Sequence, residues 1–149
     1  MTDPTDATIG NTPRHLWVVG AIALLWNCTG AFDYTMTEAR NASYMKAFTP
    51  EQLAYFYRLP IWVVATWALG VWGGVLGSLL LLLRSRWAVP IFALSLIAVI
   101  LTFFHNFVLS DGVAVMGGLG GLLMPALVFA ASVALLAYAR GIARKGALR

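Results

Sequence analysis

Trp26-Asn27-Cys28-Thr29-Gly30-Ala31-Phe32-Asp33-Tyr34 sits inside a long apolar run that begins near His15 and ends near Met36. It places an amide and a carboxylate where polar groups are costly. An Asp at the centre of a membrane span costs about 2.5–3.5 kcal/mol, and less near the interface. On a helical wheel, Trp26, Asn27, Thr29, Gly30, Asp33, Tyr34 and Thr37 fall within one half of the helix. Leu25, Cys28, Ala31, Phe32 and Thr35 fall on the other half. The first half is small and polar and turns toward neighbouring helices, while the second meets lipid. The run has about the 20 residues that a bilayer requires. It reads as one span of a membrane bundle.

The rest of the chain agrees. Of 149 residues, 60% are hydrophobic and 11% are charged, against about 25% charged in soluble domains. The mean hydropathy is +0.80. Lys and Arg cluster between uncharged stretches, as in transmembrane helices joined by short loops. The net charge of +4 does not point to nucleic acid, because the basic residues flank apolar spans. A single cysteine, Cys28, excludes an internal disulfide and any multi-cysteine metal site. The N-terminus lacks a basic n-region, and Leu25-Trp26-Asn27 is a poor lipoprotein cleavage box, so the first run is expected to stay as an uncleaved span.

The expected fold is an all-α membrane protein with four transmembrane helices at about 15–36, 60–83, 87–109 and 113–138, forming one domain over 15–139. A flexible cytoplasmic tail is expected at 1–14 and a basic cytoplasmic tail at 140–149. Between the first two spans, Thr49-Pro50-Glu51-Gln52 reads as an N-cap, a proline at the first helical position and a capping box. A short amphipathic surface helix should follow to Arg58, with Leu53, Phe56 and Tyr57 on the membrane surface. The second span carries Gly70/Gly74 and Gly73/Gly77, two G-x-x-x-G pairs that let another helix approach closely. In the third span, Ser95, Val99, Thr102, Asn106 and Ser110 form a stripe at helical spacing, with His105 at its margin. The fourth holds Gly117 and Gly121, read as further packing glycines, and Pro125, which is expected to kink it.

Orientation follows from the cations. Arg14, Arg84, Arg86, Arg140, Arg144, Lys145 and Arg149 lie on one side, against Arg40, Lys46 and Arg58 on the other. That imbalance puts both termini in the cytoplasm. Asn27, Asp33, Tyr34, His105, Asn106 and Asp111 then belong to the outer half or its rim. Two readings stand side by side. In one, these residues form a vestibule that binds a polar solute or carries a proton, with Asp33 and His105 titrating. In the other, they make interhelical hydrogen bonds worth roughly 0.6 kcal/mol each. No nucleophile–base pair, metal set or cofactor motif is legible, and an enzyme is not expected.

Several segments together resemble a family. They are Thr12-Pro13-Arg14-His15-Leu16-Trp17, Leu24-Leu25-Trp26-Asn27 through Asp33-Tyr34, Phe48-Thr49-Pro50-Glu51-Gln52-Leu53, Trp67-Ala68-Leu69-Gly70-Val71-Trp72-Gly73 and Phe107-Val108-Leu109-Ser110-Asp111-Gly112. The resemblance is to small four-span inner-membrane proteins of Gram-negative bacteria, often labelled as sugar transporters. It implies a bacterial inner-membrane address and, by the label, sugar transport. Four helices are few for a complete alternating-access pathway. The leading expectation is an accessory or interaction subunit that packs against itself, as a homo-oligomer, or against a larger membrane complex through its glycine-rich faces. The alternative is an oligomeric carrier of a small polar solute.

Overall fold

The computed structural model describes residues 12–149, so most of the tail expected at 1–14 lies outside the described residues. The described residues are helical, and among them are four segments long and apolar enough to cross a membrane. In order it runs α1 (Arg14–Glu38), α2 (Ala42–Met45), α3 (Pro50–Tyr57), α4 (Ile61–Leu82) and α5 (Ala88–Phe104). A π-helical turn (His105–Leu109), α6 (Gly112–Val115), a 3-10 turn (Gly118–Leu122) and α7 (Leu123–Arg144) complete it.

The four long helices alternate in direction, so one end of the bundle gathers residues 14–16, 81–88 and 138–149. We call it the terminus end. The other end, the loop end, carries α2, α3, the π turn and α6. The long helices form a row, with α1 packed on α4, α4 on α5 and α5 on α7. α1 and α7 are not neighbours along their lengths, and they meet at the terminus end, where His15 Nδ1 lies 2.6 Å from Tyr138 Oη.

Close approach along the α1–α4–α5 seam depends on missing side chains. A Cβ at Gly77 would stand 2.7 Å from the Phe92 ring, and one at Gly73 would stand 3.1 Å from Ser95 Cβ. A Cβ at Gly74 would collide with the Asn27 side chain. With the backbones so close, side chains bond across the seam. Ser95 Oγ donates to the Gly70 carbonyl at 2.6 Å, and Thr66 and Thr102 hydroxyls lie 3.0 Å apart.

Helix ends follow local rules. Thr49 and Gln52 make both bonds of the capping box at the start of α3. α1, α4 and α7 each end in a Schellman motif, with the residue after the C-cap in the left-handed region. That residue is Gly146 after α7, but Arg40 after α1 and Arg84 after α4. The paired bonds are Arg84 N–H to Leu81 O (3.0 Å) and Ser85 N–H to Leu80 O (2.8 Å) in α4, with their equivalents in the other two.

Five expectations are corrected. The fourth span is not one continuous helix from residue 113, because α6 stops at Val115. Gly117 and Gly118 take φ of 98° and 65°, which breaks the helix, and the long α7 begins only at Leu123. Gly117 therefore packs nothing, with no atom within 4 Å of a Cβ built there, and Gly121 abuts the carbonyl of Met116 in its own turn. Neither is an interhelical packing glycine. Pro125 falls in the first turn of α7, where no intrahelical N–H bond is lost, and not in the middle of a helix that it could kink. Residues 140–149 do not form a tail. α7 continues to Arg144, and the chain then folds back so that Ala147 and Leu148 are buried with Leu16, Leu81, Ala88, Phe92, Ala139 and Ile142. Lastly, α3 does not turn its apolar face to lipid alone. Phe56 stacks on Trp67 of α4 and meets Phe48 edge-on.

Candidate functional site

The polar residues singled out in the sequence separate into three places. Asn27 is midway along α1. Its amide donates to Ala23 O at 2.8 Å and to Ser78 Oγ at 3.2 Å, and Ser78 donates in turn to Gly74 O. Ser78 lies near the terminus end of α4, so Asn27 is not part of a cluster in the loop-end half of the bundle. It serves as a bond between two helices. Asp33 lies nearer the loop end, where it accepts a 2.5 Å hydrogen bond from Tyr44 of α2. Tyr34 packs edge-on against Trp67 with ring centroids 5.0 Å apart. Its part is aromatic packing between α1 and α4.

His105, Asn106 and Asp111 do come together, at the loop end. The π turn places them. Its i→i+5 bonding widens the helix just after Thr102, and such turns recur at functional sites. His105, which helical spacing puts at the margin of the polar stripe, is buried to 8% exposure and sits edge-on to Trp62. Its Nδ1 lies 3.2 Å from Asn106 Oδ1. A carboxamide oxygen only accepts, so Nδ1 is the donor in this contact. Asn106 Oδ1 also accepts from Tyr55 Oη at 2.8 Å, and Tyr55 Oη lies 2.8 Å from Ser110 Oγ. Tyr55 thereby ties α3 across the π turn. Gly112 makes this closure sterically feasible, since a Cβ there would lie 2.6 Å from Asn106 O and 2.7 Å from Tyr55 Oη.

Between α3, the start of α4 and this turn lies an open cleft of about 520 Å³. His105, Ser110 and Asp111 line it with Glu51, Tyr55 and Arg58. It offers one buried imidazole, two carboxyl groups, one guanidinium and two hydroxyls, a set suited to hydrogen bonding a small polar molecule. Burial holds the Tyr55 phenol above its usual range, with the nearby Asp111 charge adding to the effect and the Ser110 hydrogen bond opposing it. Among the described residues, no group of three His, Cys, Asp or Glu stands close enough to hold a metal ion. Glu51, Tyr55 and Arg58 did not enter the sequence-based set. They come from a helix whose capping is legible but whose docking partner is not.

A second feature emerges on α7. Only 6% of its most apolar stretch is buried, against 22% to 33% for the other three spans. Ala126, Ala130 and Ala134 recur every fourth residue and are all exposed, while Leu136, Ala139 and Ile142 face the core. Sequence reading passed over this line in favour of the glycines. Compared with protein-family models, curated proteins and solved structures, the chain matches none.

Proposed function

We propose that this is a non-catalytic accessory subunit of a membrane assembly, with α7 as its docking helix. The carrying observation is the exposed Ala126-Ala130-Ala134 line on a helix that has only α5 as a long neighbour. Lipid is as apolar as a helix surface, so helices associate in membranes through close backbone packing, which small residues at four-residue spacing permit. The glycine seam of α4 is already occupied by α1 and α5, so it is unavailable to a partner. The partner is a second copy of the chain or a larger membrane complex. The excess of cations at the terminus end supports a cytoplasmic placement for that end, in the inner membrane of a bacterium. Purification in mild detergent followed by mass analysis tests the proposal. The expected result is a complex, and a lone monomer under those conditions sinks it.

A second reading is favoured by the loop-end cleft, with its buried His105 imidazole. On this reading the protein binds a small polar solute there, and an oligomer carries it across the membrane. The terminus end of the single bundle is filled by the core around Leu16, Leu81 and Leu148, so transport needs a path between copies. Flux of a labelled solute into proteoliposomes tests it. Equal flux in wild type, H105A and N106A removes the cleft as the site.

A further inference from the structure

We propose that the terminus end binds the phosphodiester headgroup of an anionic phospholipid, with Arg84 and Arg86 as the fork that holds it. The chain pins these two side chains in an unusual way. Arg84 takes φ of 59° at a position where helices ordinarily use Gly. Its backbone carbonyl accepts from Arg149 N–H, and Arg86 N–H donates to Arg149 O at 2.8 Å, so the turn after α4 pairs with Arg149. Arg84 Nε donates to Ala147 O at 3.1 Å, and Arg86 Nε donates to Leu148 O at 3.3 Å. The two guanidinium groups are thus held through their Nε atoms on consecutive carbonyls. That arrangement leaves the paired Nη edges, the geometry that grips phosphate with two parallel bonds. It also lowers the entropy lost on binding, since long side chains that are already anchored have less freedom to lose.

The surroundings fit a lipid headgroup rather than a soluble anion. Arg14, Arg140, Arg144 and Lys145 lie at the same end, and no Asp or Glu does among the described residues. The exposed side chains beside the turn are apolar or interfacial. Trp87 is 69% exposed and Leu83 is 76% exposed, which suits acyl chains and the headgroup boundary.

The test uses the full-length protein in nanodiscs of phosphatidylcholine, alone or with phosphatidylglycerol. Native mass spectrometry should find phosphatidylglycerol retained in preference to phosphatidylcholine, and thermal unfolding should shift upward in its presence. The R84Q/R86Q variant should weaken that preference about twenty-fivefold, from roughly fivefold for each arginine at an anionic surface. R40Q/K46Q, at the loop end, should leave it unchanged. If R84Q/R86Q fails to fold, R86Q alone serves, because Arg86 is exposed, and it should weaken the preference about fivefold. Equal retention of the two lipids overturns the proposal, as does a variant that keeps the wild-type preference. Stabilisation in pure phosphatidylcholine by inorganic phosphate, at a fixed ionic strength, would assign the fork to a soluble anion and overturns it too.

Discussion

Tyr44 and Asp33 show how one pair of residues ties a surface turn to a membrane span. Asn41 caps α2 by accepting from the N–H groups of Ser43 and Tyr44, and this aims the phenol back at α1. The Tyr44 hydroxyl donates to the Asp33 carboxylate, and its pKa is pushed up to about 12, first by burial and then by this bond and the adjacent negative charge. The sign follows from linkage. A phenol with a higher pKa folded than unfolded stabilises the fold fully below its ordinary value near 10. That contribution is lost as pH rises from there through about 12. Thermal melts of the wild type should therefore fall across this window, and those of Y44F should fall less. Identical slopes for the two proteins would show that the pair adds nothing. Asp33 was legible in sequence as a polar residue within a span, but its partner was not. Tyr44 lies in α2, a one-turn helix too short to show a periodic pattern in sequence.

Glycine means different things in α4 and before α7, and substitutions separate the two. At Gly77 the Phe92 ring stands where a Cβ would go, so G77A should force α4 and α5 apart at a cost of about 1–3 kcal/mol. At Gly117 there is open space but φ is 98°, so G117A should cost about 1–2 kcal/mol through backbone strain alone. Gly120 has neither restriction, and G120A should be close to neutral. Denaturation in a single detergent ranks the three, and a G120A as damaging as G77A would overturn this division. The four spans were readable in the sequence because apolar length is a property of composition. The break at Gly117-Gly118 was not, because a Gly-rich apolar stretch fits both a packed helix and a left-handed bend. The end of α7 was misread for a related reason. Arg140 and Arg144 look like a tail by charge, yet Ala139, Ile142 and Leu148 bury beside Leu16 and keep the helix going.

At the scale of the molecule, an open row of four helices poses a question that a closed bundle does not. Soluble helices left uncovered are driven together by water, but in lipid that drive is absent, and an outer helix with one neighbour is stable as it stands. Exposure of α7 is therefore not a defect, and its small-residue line has to be tested rather than assumed. A130W does so. Ala130 is exposed and lies on the face away from Leu136 and Ala139, so a large ring there should leave the unfolding temperature of the monomer essentially unchanged. If a partner helix packs against this line, the ring holds the backbones apart, and co-purification in mild detergent should drop to background. A126W should act likewise, while L83W, on exposed surface at the terminus end of α4, should not. A130W that keeps its partner would move the docking surface away from α7. The glycine seam of α4 would not replace it, since α1 and α5 already fill that face, and the loop-end cleft with its buried His105 would then be the remaining feature with no structural task to explain it.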